Sequence, residues 1–180
     1  MFDIDGSASE AELREVVARC ERVKAHAAAA QARATALWAE KRRASEAEAG
    51  MPAAKRGRGL ASEVALAHAD SPAHGGRHLG FAQALVHEMP HTLAALEAGV
   101  LTEWRATLIV KQSACLTVED RRALDRELCA DTDALVGLGN ARIEAAAAAI
   151  AGLSADELAD GLGHVDLGRV EHVVGAGVEV

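Results

Sequence analysis

The sequence predicts an all-α protein with a long, coiled-coil-like N-terminal helix followed by a bundle of short helices. Alanine dominates the hydrophobic half of the composition, and only three prolines and four aromatic residues occur in 180 residues, which favours helices over strands. Apolar residues recur at three- and four-residue steps, and abrupt stops such as Asp70-Ser71-Pro72, Met89-Pro90 and Gly99 separate the periodic segments. The length suffices for one ordinary domain and its core.

Composition also limits the classes of function. The net charge of −8 opposes binding of DNA or anionic membrane by the whole surface, although a local basic patch remains compatible with it. Cys20, Cys115 and Cys129 are odd in number and lack C-x-x-C spacing, so we expect buried free thiols rather than a zinc ribbon or disulfides. An acidic N-terminus and the lack of a ~20-residue apolar run lead us to expect a cytoplasmic protein without a membrane partner.

Residues 1–50 are predicted to form the long helix. Ser7 or Ser9 can cap it, and Glu10 and Glu12 favour the positive end of its dipole. We expect the helix to end at about Ala49, before a glycine and a proline.

One face of this helix carries the 3.5-residue spacing of a coiled coil. Its seam consists of Leu13, Val16, Cys20, Val23, Ala27, Ala30, Ala34 and Leu37. Because alanine permits close approach, the seam predicts a partner helix, which is either a later helix of the same chain or another copy of it.

Residues 51–59 form a basic linker between the long helix and the rest of the chain. Lys55, Arg56 and Arg58 lie there among glycine and alanine, with no acidic residue in the segment. The pattern is compatible with a solvated linker and with a flexible loop that contacts phosphate.

Two predicted helices then have the outline of a helix-turn-helix motif. The first runs from Leu60 to Ala69, and the second from Pro72 to about Glu88. The second shows His74, Arg77 and His78 in its first turns. A plain helical hairpin explains the pattern equally well, so both interpretations stay open.

His87-Glu88-Met89-Pro90-His91 matches the letters of the H-E-x-x-H zinc-protease motif. That motif requires an unbroken helix that places both histidines on one face. Pro90 removes a donor and pushes Met89 out of the helical region, so we expect the two histidines on different elements and no metal site.

Four further helices are predicted, with Trp104 in the core. They run from His91 to Ala98, from a Thr102 cap onward, from Thr117 to about Leu135, and from Asn140 to Ile150. We expect the charged residues of the third to be solvated, namely Arg121, Arg122, Asp125, Arg126 and Glu127.

The region from about Leu60 to Ile150 resembles the domain of unknown function 222, or 13E12-repeat, family, found at the N-terminus of many bacterial HNH endonuclease proteins. The resemblance rests on SPAHGGRHLGFAQALVHEMPHTLAALEAGVLTEWRATLIV and ACLTVEDRRALDRELCAD, and the long N-terminal helix is similar to family members too. It implies an all-α domain ahead of a nuclease, with no established activity of its own and a proposed association with DNA or with the nuclease module.

Two departures from the family pattern limit what carries over. The segment with the histidine-asparagine-histidine metal site has no counterpart here, so we expect a non-enzymatic chain without catalytic residues. After residues 60–151 the family continues with a basic run, whereas this chain has Gly152-Leu153-Ser154-Ala155. We interpret residues 152–180, which are rich in valine and glycine, as a weakly structured tail left by a frame shift or truncation.

The functional expectation is weak association with DNA and no cofactor, metal or small-molecule substrate. Six residues are the candidate contacts: Lys55, Arg56, Arg58, His74, Arg77 and His78. The alternative is a protein-interaction or dimerisation module that uses the Leu13–Leu37 seam.

Overall fold

The computed structural model describes residues 4–150 and 152, and the predicted all-α fold is confirmed. No strand occurs within those residues, and none of their helices is long and apolar enough to cross a membrane. The prediction for residues 153–180 lies outside the described part. The helices are α1 (Glu10–Glu48), α2 (Leu60–Ala67), α3 (Gly75–Gln83), α4 (Pro90–Glu97), α5 (Glu103–Gln112), α6 (Val118–Cys129) and α7 (Asn140–Ile150).

Helix α1 begins and ends where its capping residues predict. The Ser9 hydroxyl accepts a hydrogen bond from the Glu12 backbone N–H at 3.3 Å, and the Glu12 carboxylate accepts one from the Ser9 N–H at 2.8 Å. This capping box satisfies two N–H groups that have no partner inside the helix. With 39 residues, α1 is about 58 Å long.

The face that α1 turns toward the rest of the chain differs from the predicted seam. Leu13, Val23 and Leu37 are exposed, and the seam alanines are exposed as well. The prediction of a later helix against this seam is therefore wrong, while pairing with another copy stays a prediction. The buried positions follow a neighbouring stripe of small residues, Ala25, Ala28, Ala29, Ala32, Thr35, Ala36 and Ala39.

The core lies between the second half of α1 and the helices that follow residue 60. Because the α1 stripe is nearly all alanine, the other helices approach it closely and supply the larger side chains. The helices after α1 contribute fully buried leucines and isoleucines, including Leu79, Leu85, Leu96, Ile109, Leu124 and Ile143.

The predicted break at Pro90 is confirmed. Helix α3 continues as a π-helical turn over residues 84–88, in which the Met89 N–H donates to the Ala84 carbonyl at 2.9 Å. Met89 leaves the helical region with φ −129° and ψ 59°, and α4 starts at Pro90. Proline suits this first position because its missing N–H has no partner there anyway. His87 and His91 therefore lie on different elements.

Helix α6 caps α4 from the side. The fully buried carboxylate of Asp125 accepts hydrogen bonds from the backbone N–H groups of His91 and Thr92, at 2.8 and 2.7 Å, and from the Thr92 hydroxyl at 2.6 Å. An anion at a helix N-terminus is stabilised both by these N–H groups and by the helix dipole. Burial also raises the pKa of the neighbouring Cys129 thiol to about 11.

One turn earlier on α6, Arg121 holds the other side of the same joint. Its guanidinium forms a buried ion pair with Glu88 and donates to the Leu116 carbonyl at 3.0 and 3.2 Å. The expectation of solvated charges is therefore wrong for Arg121 and Asp125. Helix α6 is also shorter than predicted, since it ends at Cys129.

Replacing Arg121 with methionine should destabilise the fold by about 3 kcal/mol or more, because the substitution leaves the Glu88 carboxylate buried and unpaired. Arg126→Met, at an exposed position of the same helix, should change the free energy of unfolding by about 0.5 kcal/mol or less. Urea denaturation followed by circular dichroism measures both values. The double variant Glu88→Leu/Arg121→Met should lose less than Arg121→Met alone. A double variant as unstable as the sum of both single variants would contradict the pairing.

Helices α2 and α3 cross at a position that only glycine fits. A Cβ atom on Gly75 would lie 1.9 Å from the Ala61 carbonyl oxygen and 2.5 Å from its carbonyl carbon. Both atoms belong to backbone, so the contact cannot be relieved by a side-chain rotation. This approach fixes the start of α3 against the start of α2.

Gly75→Ala should therefore destabilise the protein by about 3 kcal/mol, the usual scale for overpacking at a rigid contact. Gly6→Ala is the matched control, because its added methyl group would meet nothing within 4 Å. Thermal denaturation should show a melting temperature lowered by several degrees for Gly75→Ala only. Equal melting temperatures for the two variants would show that α2 and α3 can separate at no cost.

Candidate nucleic-acid interface

The structure divides the six candidate residues into two groups. Lys55, Arg56 and Arg58 lie in the loop between α1 and α2, whereas His74, Arg77 and His78 lie at the start of α3. The two groups contact different parts of α1, which makes each of them a separate candidate surface.

The loop is folded onto the last turns of α1. The backbone N–H of Gly57 donates to the Glu46 carboxylate at 2.6 Å, and Arg56 Nε donates to the Met51 carbonyl at 2.8 Å. Gly57 has φ 77°, a conformation that side-chain-bearing residues rarely adopt. Arg56 is half-buried, while Lys55 and Arg58 are exposed. The loop therefore presents two of its three cations to solvent from a defined position.

Three cations of α1, Lys41, Arg42 and Arg43, precede the loop, and a methyl group added to Gly57 of the loop would lie 3.7 Å from Arg43 Nε. Lys41 is exposed, and Arg42 forms an ion pair with Glu63 at 2.7 Å. With the Gln83 amide oxygen facing Arg43, both terminal guanidinium nitrogens of Arg43 donate to it, at 2.9 and 3.1 Å. In the sequence, the Lys-Arg-Arg run near the end of the predicted helix indicated these additional cations. Its position in the helix did not show that it lies near the loop.

We call residues 41–58 the basic end of the molecule. They contain six lysine and arginine residues and only two glutamates, in a chain whose net charge is −8. Within the described residues, Arg42 forms an ion pair with a carboxylate, which offsets its charge. Neutral amide and carbonyl oxygens instead accept hydrogen bonds from Arg43 and Arg56. The basic end is therefore a local positive region on an acidic protein.

The second group lines a cleft of about 290 Å³ between the start of α3 and the start of α5. His74, Arg77 and His78 form one wall, and Trp104 is 60% exposed at the other. The expectation that Trp104 belongs to the core is therefore wrong. Glu103 also lines the cleft, so the local charge is mixed rather than positive.

The Asp70 carboxylate is hydrogen-bonded to both histidines of the cleft. Its carboxylate oxygens lie 3.0 Å from His74 Nδ1 and 2.8 Å from His78 Nε2, and the Ser71 backbone N–H donates to it at 2.7 Å. The hydrogen bond with His78, followed by those with Ser71 and His74, holds the pKa of Asp70 far below its usual value. His74 and His78 are thus hydrogen-bonded to the turn that precedes α3.

The turn between α2 and α3 is tightened further by ring stacking. The imidazoles of His68 and His78 stack with centroids 4.1 Å apart, and burial together with nearby His78 lowers the pKa of His68. Ala69 in the same turn has φ 54°, which is unfavourable for a residue with a Cβ atom. Backbone hydrogen bonds close this turn, from the Ala69 N–H to the Leu66 carbonyl at 3.0 Å and from the Asp70 N–H to the Ala65 carbonyl at 2.8 Å.

The two groups lie apart along α1. A small cavity bordered by His68 and His78 reaches α1 at Ala28 to Thr35, whereas the loop contacts Glu46. The eleven helical residues from Thr35 to Glu46 correspond to about 16 Å.

Within the described residues, no three histidine, cysteine, aspartate or glutamate side chains converge as metal ligands would.

Comparisons of the chain with family models, with curated proteins and with solved structures find no match.

Asp70→Asn should weaken the protein in a pH-dependent way. A carboxyl group whose pKa is lowered on folding contributes stability that is present above its ordinary pKa, 3.8 for Asp70, and is lost as the pH falls through the folded value. The difference in free energy of unfolding between wild type and variant should be widest above about pH 5 and should narrow below about pH 4.

Urea denaturation at a series of pH values measures this difference. Asp133→Asn is the control, because the exposed Asp133 carboxylate accepts no hydrogen bond within the described residues. Other carboxylates with lowered pKa, such as Glu12 and Glu63, act equally in all three proteins. A wild-type advantage that stays constant from neutral to strongly acidic pH would contradict the Asp70 clamp.

Proposed function

We propose that the protein associates with DNA through phosphate contacts at the basic end, residues 41–58. The observation that carries this proposal is the concentration of six lysine and arginine residues against two glutamates on a folded surface of a protein with net charge −8. Such a local surface attracts the DNA backbone, whereas the remaining acidic surface repels it and limits non-specific coverage.

The folded loop supports phosphate binding because it holds its exposed cations at a defined position. Neutral oxygens hold the guanidinium groups of Arg43 and Arg56 in place. The exposed Lys41, Lys55 and Arg58 can then reach a duplex from a preformed surface. Phosphate contacts of this kind set position and affinity and carry no sequence information by themselves.

The resemblance to the domain of unknown function 222 family supports the same proposal. In this proposal the chain is a non-catalytic helical part of an HNH-endonuclease-type protein, and it supplies DNA association rather than cleavage. The two supports rest mainly on different residues, since the quoted family segments lie within residues 71–131 and the charge concentration lies within residues 41–58.

The cleft has a secondary part in this proposal. Arg77 is exposed and can add one phosphate contact, but Asp70 and Glu103 lie beside it. Asp70 also engages His74 and His78. We therefore assign affinity mainly to the basic end and not to base reading by α3.

Lys55→Gln/Arg58→Gln should weaken binding to a fluorescein-labelled DNA duplex by about tenfold at low salt, because two charge-assisted phosphate contacts are lost. The slope of log K against log salt concentration should also fall by about two. Fluorescence anisotropy at several salt concentrations measures both quantities, with unrelated duplex sequences to test for sequence preference.

The matched control is Arg122→Gln/Arg126→Gln, which removes the same charge from exposed positions of α6. It should leave the salt slope unchanged, and Arg77→Gln should lower it by about one or less. Absence of binding by the folded wild-type protein at low salt would refute the proposal. An equal loss in the control would show that net charge, rather than the basic end, governs association.

A further inference from the structure

The first half of α1 extends beyond the helices that cover its second half. Every residue of α1 before Ala25 is exposed or half-buried. Coverage begins near Arg22, where an added methyl group on Gly99, in the turn after α4, would lie 3.0 Å from Arg22 Cγ. We call residues 10–24 the arm.

The arm carries an apolar stripe that remains largely exposed. Leu13, Val17 and Val23 are 40%, 62% and 48% exposed, and the half-buried Val16 and Cys20 lie between them. A helical segment of this length with few tertiary contacts is marginal in water. A continuous stripe of apolar side chains on such a segment is typical of a helix that pairs with another helix.

The charges of the arm point to a second copy in the antiparallel direction. Residues 10–17 carry three glutamates and one arginine, and residues 18–24 carry three basic residues and one glutamate. Antiparallel pairing brings the acidic start of each arm against the basic end of the other. Parallel pairing in register instead sets the two acidic starts together and the two basic ends together.

We propose that two copies of the chain pair through their arms as an antiparallel helix pair centred near Ala18. In this register Leu13 packs against the partner's Val23, and Val16 packs against the partner's Cys20. Val17 meets the partner's Val17 at one edge of the stripe, and Arg19 meets the partner's Arg19 at the other. Glu10 faces the partner's Lys24, which also pairs with Glu21 of its own helix at 2.7 Å. The interface is independent of the basic end and stands or falls separately from DNA binding.

A pair of arms buries a small interface, so the dimer should be weak, with a Kd of about micromolar. Sedimentation velocity of the full chain over a wide concentration range should show a reversible monomer–dimer equilibrium. Val17→Glu should raise the Kd by about tenfold or more, because it brings two carboxylates together at the centre. The matched control is Leu66→Glu on α2, which is 78% exposed and should leave the Kd unchanged.

The antiparallel direction of the helix pair is tested by exchanging the charges of residues 10 and 24. Glu10→Lys should weaken the dimer by about threefold or more, and Glu10→Lys/Lys24→Glu should restore it in part, because the facing pair is re-formed with opposite signs while Glu21 loses its Lys24 partner. Circular dichroism and urea denaturation establish that each variant stays folded, so that loss of the dimer is not loss of the fold.

Other results would overturn the proposal. A wild-type protein that sediments as a monomer at every concentration refutes it. If hydrogen exchange of that monomer shows protected amides in the arm, another part of the same chain covers the stripe. A dimer that survives Val17→Glu also refutes it, since the interface then lies elsewhere.

Discussion

The backbone between Glu88 and Thr92 must change direction without leaving polar groups unpaired in the core. Pro90 interrupts the helical hydrogen bonds there, and α4 starts with N–H groups that have no partner of their own. Asp125 accepts from the first of these groups, and Arg121 neutralises Glu88 on the other side. Both α3 and α4 meet α1, so the angle at this joint decides how the alanine stripe of α1 is covered. A buried ion pair is not in itself strongly stabilising, but here it selects one arrangement of the helices.

Helix ends were predictable because their determinants are local. Ser9 with Glu12, the Thr102 and Thr117 caps, and Pro90 act through neighbouring backbone groups, and each starts a helix in the structure. The burial of Arg121 and Asp125 was not predictable in this way. Their spacing matches that of a solvated charged face. Their burial is stable only because α3 and α4 pack against α6 and supply hydrogen-bonding and ion-pair partners. The same limit applies to α1, where alanines lie on every side of the middle turns. Apolar spacing alone therefore cannot choose between neighbouring stripes.

The candidate site shows a related limit. Proximity in sequence grouped the loop with α3, yet the two regions lie about 16 Å apart along α1. The loop instead adjoins Arg43 of α1, which no motif connected with it. At the start of α3, the pattern of His74 and His78 resembles the exposed start of a recognition helix. In the structure both histidines are instead hydrogen-bonded to Asp70 in the preceding turn, and no spacing rule predicts these contacts.

The length of α1 separates two kinds of surface on one rigid element. Its middle turns are alanine-rich and covered by the bundle, its start is exposed and apolar, and its end is basic. A helix of 39 residues keeps these ends tens of ångströms apart, well beyond the ~10 Å over which charges interact at moderate salt. Phosphate binding at residues 41–58 would therefore leave the arm, whose four acidic and four basic residues balance, undisturbed. In a compact bundle of the same composition the two surfaces would lie within that range, and binding at one would disturb the other.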